Sequence, residues 1–157
     1  MMRIVTVTLF TALLLLFGTS CRAEECLCAA SFPDGSVLGN FSLPEDGRFS
    51  LSFIHSVSNT PVRDDYRFAE GKITQAREIF ETHGAGLPSQ ADEPNITSWR
   101  RVKDTFIVEM RRPIPKLVVR TDKRYKNRLH LKRKTINLNQ WPDGAIELRG
   151  VPCRITQ

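Results

Sequence analysis

The chain has 157 residues, 41% of them hydrophobic and 25% charged, with 23 Lys and Arg against 17 Asp and Glu. That balance excludes a disordered tail and a multi-pass membrane protein, and the length leaves room for one domain after an apolar N-terminus. There is no glycine-rich phosphate loop, zinc-type Cys/His array or long heptad pattern, so compartment and fold class are easier to read here than activity.

Met1–Arg3 is a short positive start, Ile4–Phe17 carries no charge, and Gly18, Thr19 and Ser20 are small residues before Cys21. This is the layout of an export signal over residues 1–20. Its 14 uncharged residues would cover only about 21 Å of a hydrocarbon core about 30 Å thick, so removal is expected rather than a permanent span. Two cleavage readings fit. Cys21 is a candidate lipidated first residue of a bacterial lipoprotein, although Gly18 stands where a bulky aliphatic residue is usual; alternatively the cut falls after Ala23 and frees the chain. Either way residues 24–157 form a single exported domain, periplasmic or held at the membrane by lipid.

Cysteine usage agrees with an oxidising destination. Cys26 and Cys28 lie at one end of the mature body and Cys153 at the other, which predicts a terminus-to-terminus disulfide. Cys26 and Cys28 share a face if they lie on a strand, so either can partner Cys153. The alternative is that all three are small buried hydrophobes.

Further along, Arg48–Ile54 alternates polar residues with Phe49, Leu51 and Phe53, the period-two signature of a half-buried strand. Similar alternation marks 105–110, 117–120, 128–138 and 145–155. Turns fall at Pro33-Asp34-Gly35, Glu45-Asp46-Gly47, Glu70-Gly71 and Pro142-Asp143-Gly144. Lys72–Glu81 fits a strand better than a helix, and Pro88–Trp99 reads as a long polar loop. The fold class predicted is all-β, an antiparallel β-sandwich or partly open barrel.

Charge is unevenly placed: residues 24–99 hold 5 basic and 12 acidic side chains, residues 100–157 hold 16 and 5. A cytosolic chain with this basic half would suggest nucleic acid, which the export signal argues against. Anionic lipid headgroups or an acidic partner are the extracytoplasmic counterparts, with Lys132 and Lys134 at the centre of the basic run. The plainer reading makes His130, Lys132 and Lys134 the wet face of a strand that buries Leu129 and Leu131.

Two stretches are more particular than strand-and-turn chemistry. One is His55-Ser56-Val57-Ser58-Asn59-Thr60-Pro61-Val62 with Asp64 and Tyr66 after it; the other is Gly84-Ala85-Gly86-Leu87-Pro88. In order and spacing they resemble a bacterial family catalogued as domain of unknown function 1850, over about residues 26–153. Arg63 departs from a position often acidic in that family, as does Glu81-Thr82-His83 from a serine and an aromatic. The resemblance implies a setting beside the membrane components of TAXI-type tripartite ATP-independent periplasmic (TRAP) transporters. With one apolar stretch the chain is not itself a permease. The role implied is an exported binding or accessory domain, its partners a TRAP-type permease or its solute-binding protein.

If the two motif loops converge, His55, Ser56, Thr60, Asp64 and the Gly84, Ala85, Gly86 and Leu87 backbone line one polar pocket, with consecutive N–H groups offering an anion nest. The plainer alternative gives His55 and Asp64 structural hydrogen bonds and the glycines a tight turn. No catalytic residue or cofactor is assigned, because Ser56 and His55 are strand neighbours that point apart. A runner-up reading, a secreted metal-dependent or acid/base enzyme, uses His55, Asp64 and His83. A third is a structural envelope domain docking by its basic face.

Overall fold

The computed structural model describes residues 24–153. The export signal, the Cys21 lipidation site and the cleavage point after Ala23 lie outside the described residues.

Eleven strands make the body: β1 (Glu25–Ser31), β2 (Val37–Ser42), β3 (Arg48–Ile54), β4 (Pro61–Ala69), β5 (Lys72–Phe80), β6 (Ile96–Val102), β7 (Thr105–Ile114), β8 (Leu117–Thr121), β9 (Arg128–Leu131), β10 (Lys134–Asn137) and β11 (Gly144–Pro152). They form two antiparallel sheets, a smaller one ordered β2-β1-β11-β8 and a larger one ordered β10-β9-β3-β4-β5-β7-β6. The predicted all-β fold is therefore present as a two-sheet sandwich.

The sequence reading marks no strand at β1 or β2, and three further elements differ from it. Ile96–Trp99 belongs to β6, not to the preceding loop; its polar composition is that of an exposed edge strand whose backbone is satisfied by β7. The expected 128–138 strand is two, β9 and β10, joined by Lys132-Arg133. β4 buries Val62, Asp64, Tyr66 and Phe68, so its alternation is hidden by an acid in an inward position. Lys72–Phe80 is a strand as expected, with a bulge between Gln75 and Arg77 that shifts the inward side chains from Ile73 and Gln75 to Glu78 and Phe80.

The main core lies between the sheets, where Leu27, Ala29, Ile146 and Leu148 of the smaller meet Phe49, Leu51, Tyr66, Phe68 and Leu129 of the larger. Each fully buried Leu or Phe contributes roughly 1.5–3 kcal/mol. A second cluster, Val62, Phe80, Val108 and Met110, draws no member from the smaller sheet. Its cover comes from the β5–β6 connection, whose Leu87 packs on it and whose Pro88 is fully buried. Cys26 and Cys153 form a disulfide across a separation of 127 residues, leaving Cys28 free and buried. In the chain-entropy view such a loop is worth nearly 5 kcal/mol.

Candidate functional site

The two motif loops meet. His55 directly follows β3 and is buried, and its Nε2 lies 3.2 Å from the Ala85 carbonyl oxygen. Its Nδ1 faces donors, the Ser58 N–H at 3.2 Å and the Val57 N–H at 3.4 Å, with the Ser58 hydroxyl at 3.1 Å. An acceptor on one side and donors on the other place the ring proton on Nε2, where it donates to Ala85. Thr60 joins the chain through its hydroxyl, 2.8 Å from Ser58 Oγ, while Ser56 is exposed at the turn.

The second motif is shaped around that ring. A Cβ on Gly84 would lie 2.5 Å from His55 Cε1, so only glycine admits the ring. Gly86 serves differently: its φ of +89° is the left-handed conformation needed at the third position of a turn closed by Leu87 N–H donating to Gly84 O at 3.1 Å. The Leu87 N–H is spent in that turn rather than offered to an anion.

Asp64 is not part of this joint. It pairs with Leu51, four residues before His55 on β3, which sets the two roughly 13 Å apart along the strand. Its partners are the Tyr66 hydroxyl and the Gln75 amide N–H, both donating at 3.2 Å. Gln75 also donates to Glu78 at 3.4 Å and accepts from Arg112 at 3.2 Å. Asp64 and Glu78 are directly opposite across β4 and β5, both buried. Burial, with the charge of Asp65 close by, pushes Asp64 up to about 6; burial and the facing Asp64 push Glu78 up to about 8. Burial and the same carboxylate raise Tyr66. Two facing carboxylates so placed favour keeping a proton, an effect that the Arg112 guanidinium, 4.0 Å from Glu78, partly offsets.

His83 stands apart from both. Its Nδ1–H donates to Pro88 O at 3.2 Å and its ring stacks on Trp99, 6.0 Å between centroids. His55, Asp64 and His83 are thus engaged in three separate sets of contacts, and among the described residues no group of three or more His, Cys, Asp or Glu is arranged to hold a metal.

Elsewhere a cleft of about 1190 Å³ opens on the outer face of the larger sheet. One cross-strand row crosses it: His130, Ser50, Asp65, Arg77 and Glu109, each opposite the next. Asp65 accepts from Ser50 at 2.6 Å, Arg63 at 2.9 Å and Arg77 at 2.7 Å. Burial alone would raise it, and these three donors outweigh burial and lower it. Ser52 Oγ lies 2.7 Å from His130 Nε2, with Thr135 Oγ1 3.1 Å from Nδ1. That is nucleophile-to-base spacing, yet the third group is a neutral hydroxyl. Burial and the cations Arg63 and Arg128 lower the affinity of His130 for a proton, which works against the imidazolium that acyl transfer needs.

The sequence marks Lys132 as part of a basic run and, with His130, as the wet face of a strand, and assigns no role to Ser50, Asp65 or Arg77. Alternation in β3 shows that Ser50 and Ser52 point away from Phe49 and Leu51, but no spacing rule reveals that His130 lands beside them. The basic run also divides: Lys132 lines the cleft, whereas Lys134 Nζ lies 5.7 Å from the centre of the Phe41 ring of β2.

The sequence model of a family described as domain of unknown function (DUF1850) matches residues 49–138, 90 of the 157 residues. The match holds both motifs and all of the larger sheet but Arg48, and omits β1, β2 and β11, so it is narrower than the 26–153 span of the resemblance. No curated protein and no solved structure matches.

Proposed function

We propose that this chain, which belongs to the DUF1850 family, is an exported binding or accessory domain, periplasmic or tethered by lipid at Cys21, that works with a TAXI-type TRAP uptake system. The observation that carries the binding reading is how the polar groups are used. His55 and Asp64 are committed to hydrogen bonds within the chain, while a large cleft lined by charged side chains opens on a sheet face. A scaffold with satisfied motifs and an open polar concavity is suited to holding a ligand rather than transforming one.

Export is supported by the Cys26–Cys153 disulfide, a bond characteristic of oxidising compartments. No helix among the described residues is long and apolar enough to cross a membrane. The uptake-system partner, a TRAP-type permease or its solute-binding protein, rests on the family resemblance.

The test is affinity purification of the tagged, natively expressed protein from solubilised envelopes, with intact mass of the product. A mature chain beginning at Cys21 with acyl chains, or at Glu24 without them, together with co-purified permease or solute-binding protein, supports the reading. A cytosolic product retaining Met1 with reduced thiols removes export, and the absence of both transport components removes the partnership.

A further inference from the structure

We propose that the cleft on the outer face of the larger sheet binds a compact, multiply charged anion, a small molecule bearing two or more carboxylate or phosphate groups, through Arg48, Arg67, Arg111 and Lys132. This deepens the binding reading and rests on it; the association with an uptake system is a separate matter.

The floor of the cleft is already neutralised. Asp65 is held by Arg63 and Arg77, and Glu109 lies 4.0 Å from Arg77 and 3.4 Å from Arg100. The rim is not. Arg111 and Lys132 line the cleft and make no ion pair among the described residues. Arg48 stands directly opposite Arg67 across β3 and β4, an unfavourable like-charge pair in an antiparallel ladder. Its partial relief is Asp46, 3.7 Å from Arg48 with both side chains largely exposed, and the Asp46 carbonyl oxygen, 3.3 Å from Arg67 Nε. Six Lys and Arg line the cleft against three carboxylates. The positive excess is therefore gathered around a concavity, and most of it is guanidinium, whose planar fork matches carboxylate and phosphate oxygens.

Shape selects among anions. The volume of about 1190 Å³ sits just above the roughly 300–1,000 Å³ of small-molecule sites. A neutral sugar or aromatic ligand lacks a stacking platform, because the Phe49 and Tyr66 rings stack on each other, 5.2 Å between centroids, within the core. His130 forms one wall, so its ring resonances report occupancy.

The experiment is titration calorimetry of the mature chain with citrate and with pyrophosphate, alongside acetate and vesicles of equal parts phosphatidylglycerol and phosphatidylcholine, with NMR of the His130 ring. Citrate or pyrophosphate should bind, weaken as salt rises from about 50 to about 300 mM, and shift the His130 signals. Arg111→Gln combined with Lys132→Gln should weaken binding about tenfold or more at an unchanged urea midpoint. Arg124→Gln, which removes a cation outside the cleft paired with Asp122, should leave binding unaltered. Vesicle binding without compact-anion binding, no binding to either, or binding indifferent to the rim pair would each overturn the assignment. Rim-dependent citrate binding by a chain that co-purifies with no transport component would sink the uptake role alone; co-purification without anion binding would sink this site alone.

Discussion

The Cα of Gly84 lies so close to the His55 ring that a Cβ at residue 84 would sit 2.5 Å from Cε1. The ring has little freedom to retreat, because Ser58 holds one nitrogen and Ala85 the other. Gly84→Ala should therefore cost about 1–3 kcal/mol by overpacking. Gly86→Ala meets no atom within 4 Å but must hold a φ of +89°, a penalty of about 1–2 kcal/mol from the backbone alone. Urea denaturation separates the two causes: in a His55→Ala background the Gly84→Ala loss should vanish and the Gly86→Ala loss persist. A Gly84→Ala loss that survived removal of the ring would refute the packing account.

The facing carboxylates give stability a pH dependence with a definite sign. Asp64 and Glu78, raised from ordinary values of 3.8 and 4.5 to about 6 and about 8, keep protons in the folded chain that the unfolded chain has released. Their contribution is present below about pH 4 and declines as pH rises towards about 8. Asp65 runs the other way, its lowered value adding stability above the ordinary carboxylate range that is lost on acidification. Glu78→Gln keeps an acceptor for Gln75 and removes the titration. It should gain about 1–3 kcal/mol near pH 8 and nothing near pH 4, measured as urea midpoints across that range; a loss at pH 8 would mean the ionised carboxylate is stabilising.

Floor and rim of the outer cleft should respond differently to substitution. Asp65→Asn leaves Arg63 and Arg77 without their shared carboxylate and should cost about 1–3 kcal/mol, because Asp65 is only 16% exposed. Neutralising Arg48 or Arg67 relieves a like-charge pair and should leave stability within about 0.5 kcal/mol or raise it slightly. Thermal unfolding of the three variants decides the matter, and comparable losses at all of them would make the rim structural.

How much of the fold is legible in the sequence follows from what period-two alternation can carry. The β3 pattern and the turn residues around it specify strands and their punctuation, and two loop motifs with a histidine in one and two glycines in the other hint at a meeting point. The roles of those glycines separate only in three dimensions, close approach at Gly84 and left-handed backbone at Gly86. No alternation marks Glu78 as an inward residue, because the bulge after Gln75 changes which side chains of β5 face inward. Adjacency along the chain places Asp64 with the His55 loop and does not reveal that a nine-residue strand carries it into the interior. The His130 and Ser52 contact joins residues 78 apart, a distance at which local pattern carries no information.

The disulfide provides the last test, since Cys28 offers a decoy for it. Cys26 pairs with Val151 and Cys28 with Arg149 on β11, so Cys28 stands one side-chain repeat, about 7 Å, further along the strand. Cys153 follows Val151 on the side of Cys26 away from Cys28, and its Cα is 5.0 Å from that of Cys26, so the Cα of Cys28 is about 9 Å or more from it, beyond the reach of a substitute bond. Cys26→Ser should therefore behave like Cys153→Ser, each losing about 2–5 kcal/mol and exposing two thiols on unfolding. Cys28→Ser should retain the bond, expose none, and lose about 1–2 kcal/mol for burying a hydroxyl. Thiol counting in denaturant, with urea melts in the presence and absence of reductant, reads all three. A Cys26→Ser protein that unfolds with no reactive thiol would show that Cys28 had reached Cys153, and that the β1 and β11 register is looser than its ladder indicates.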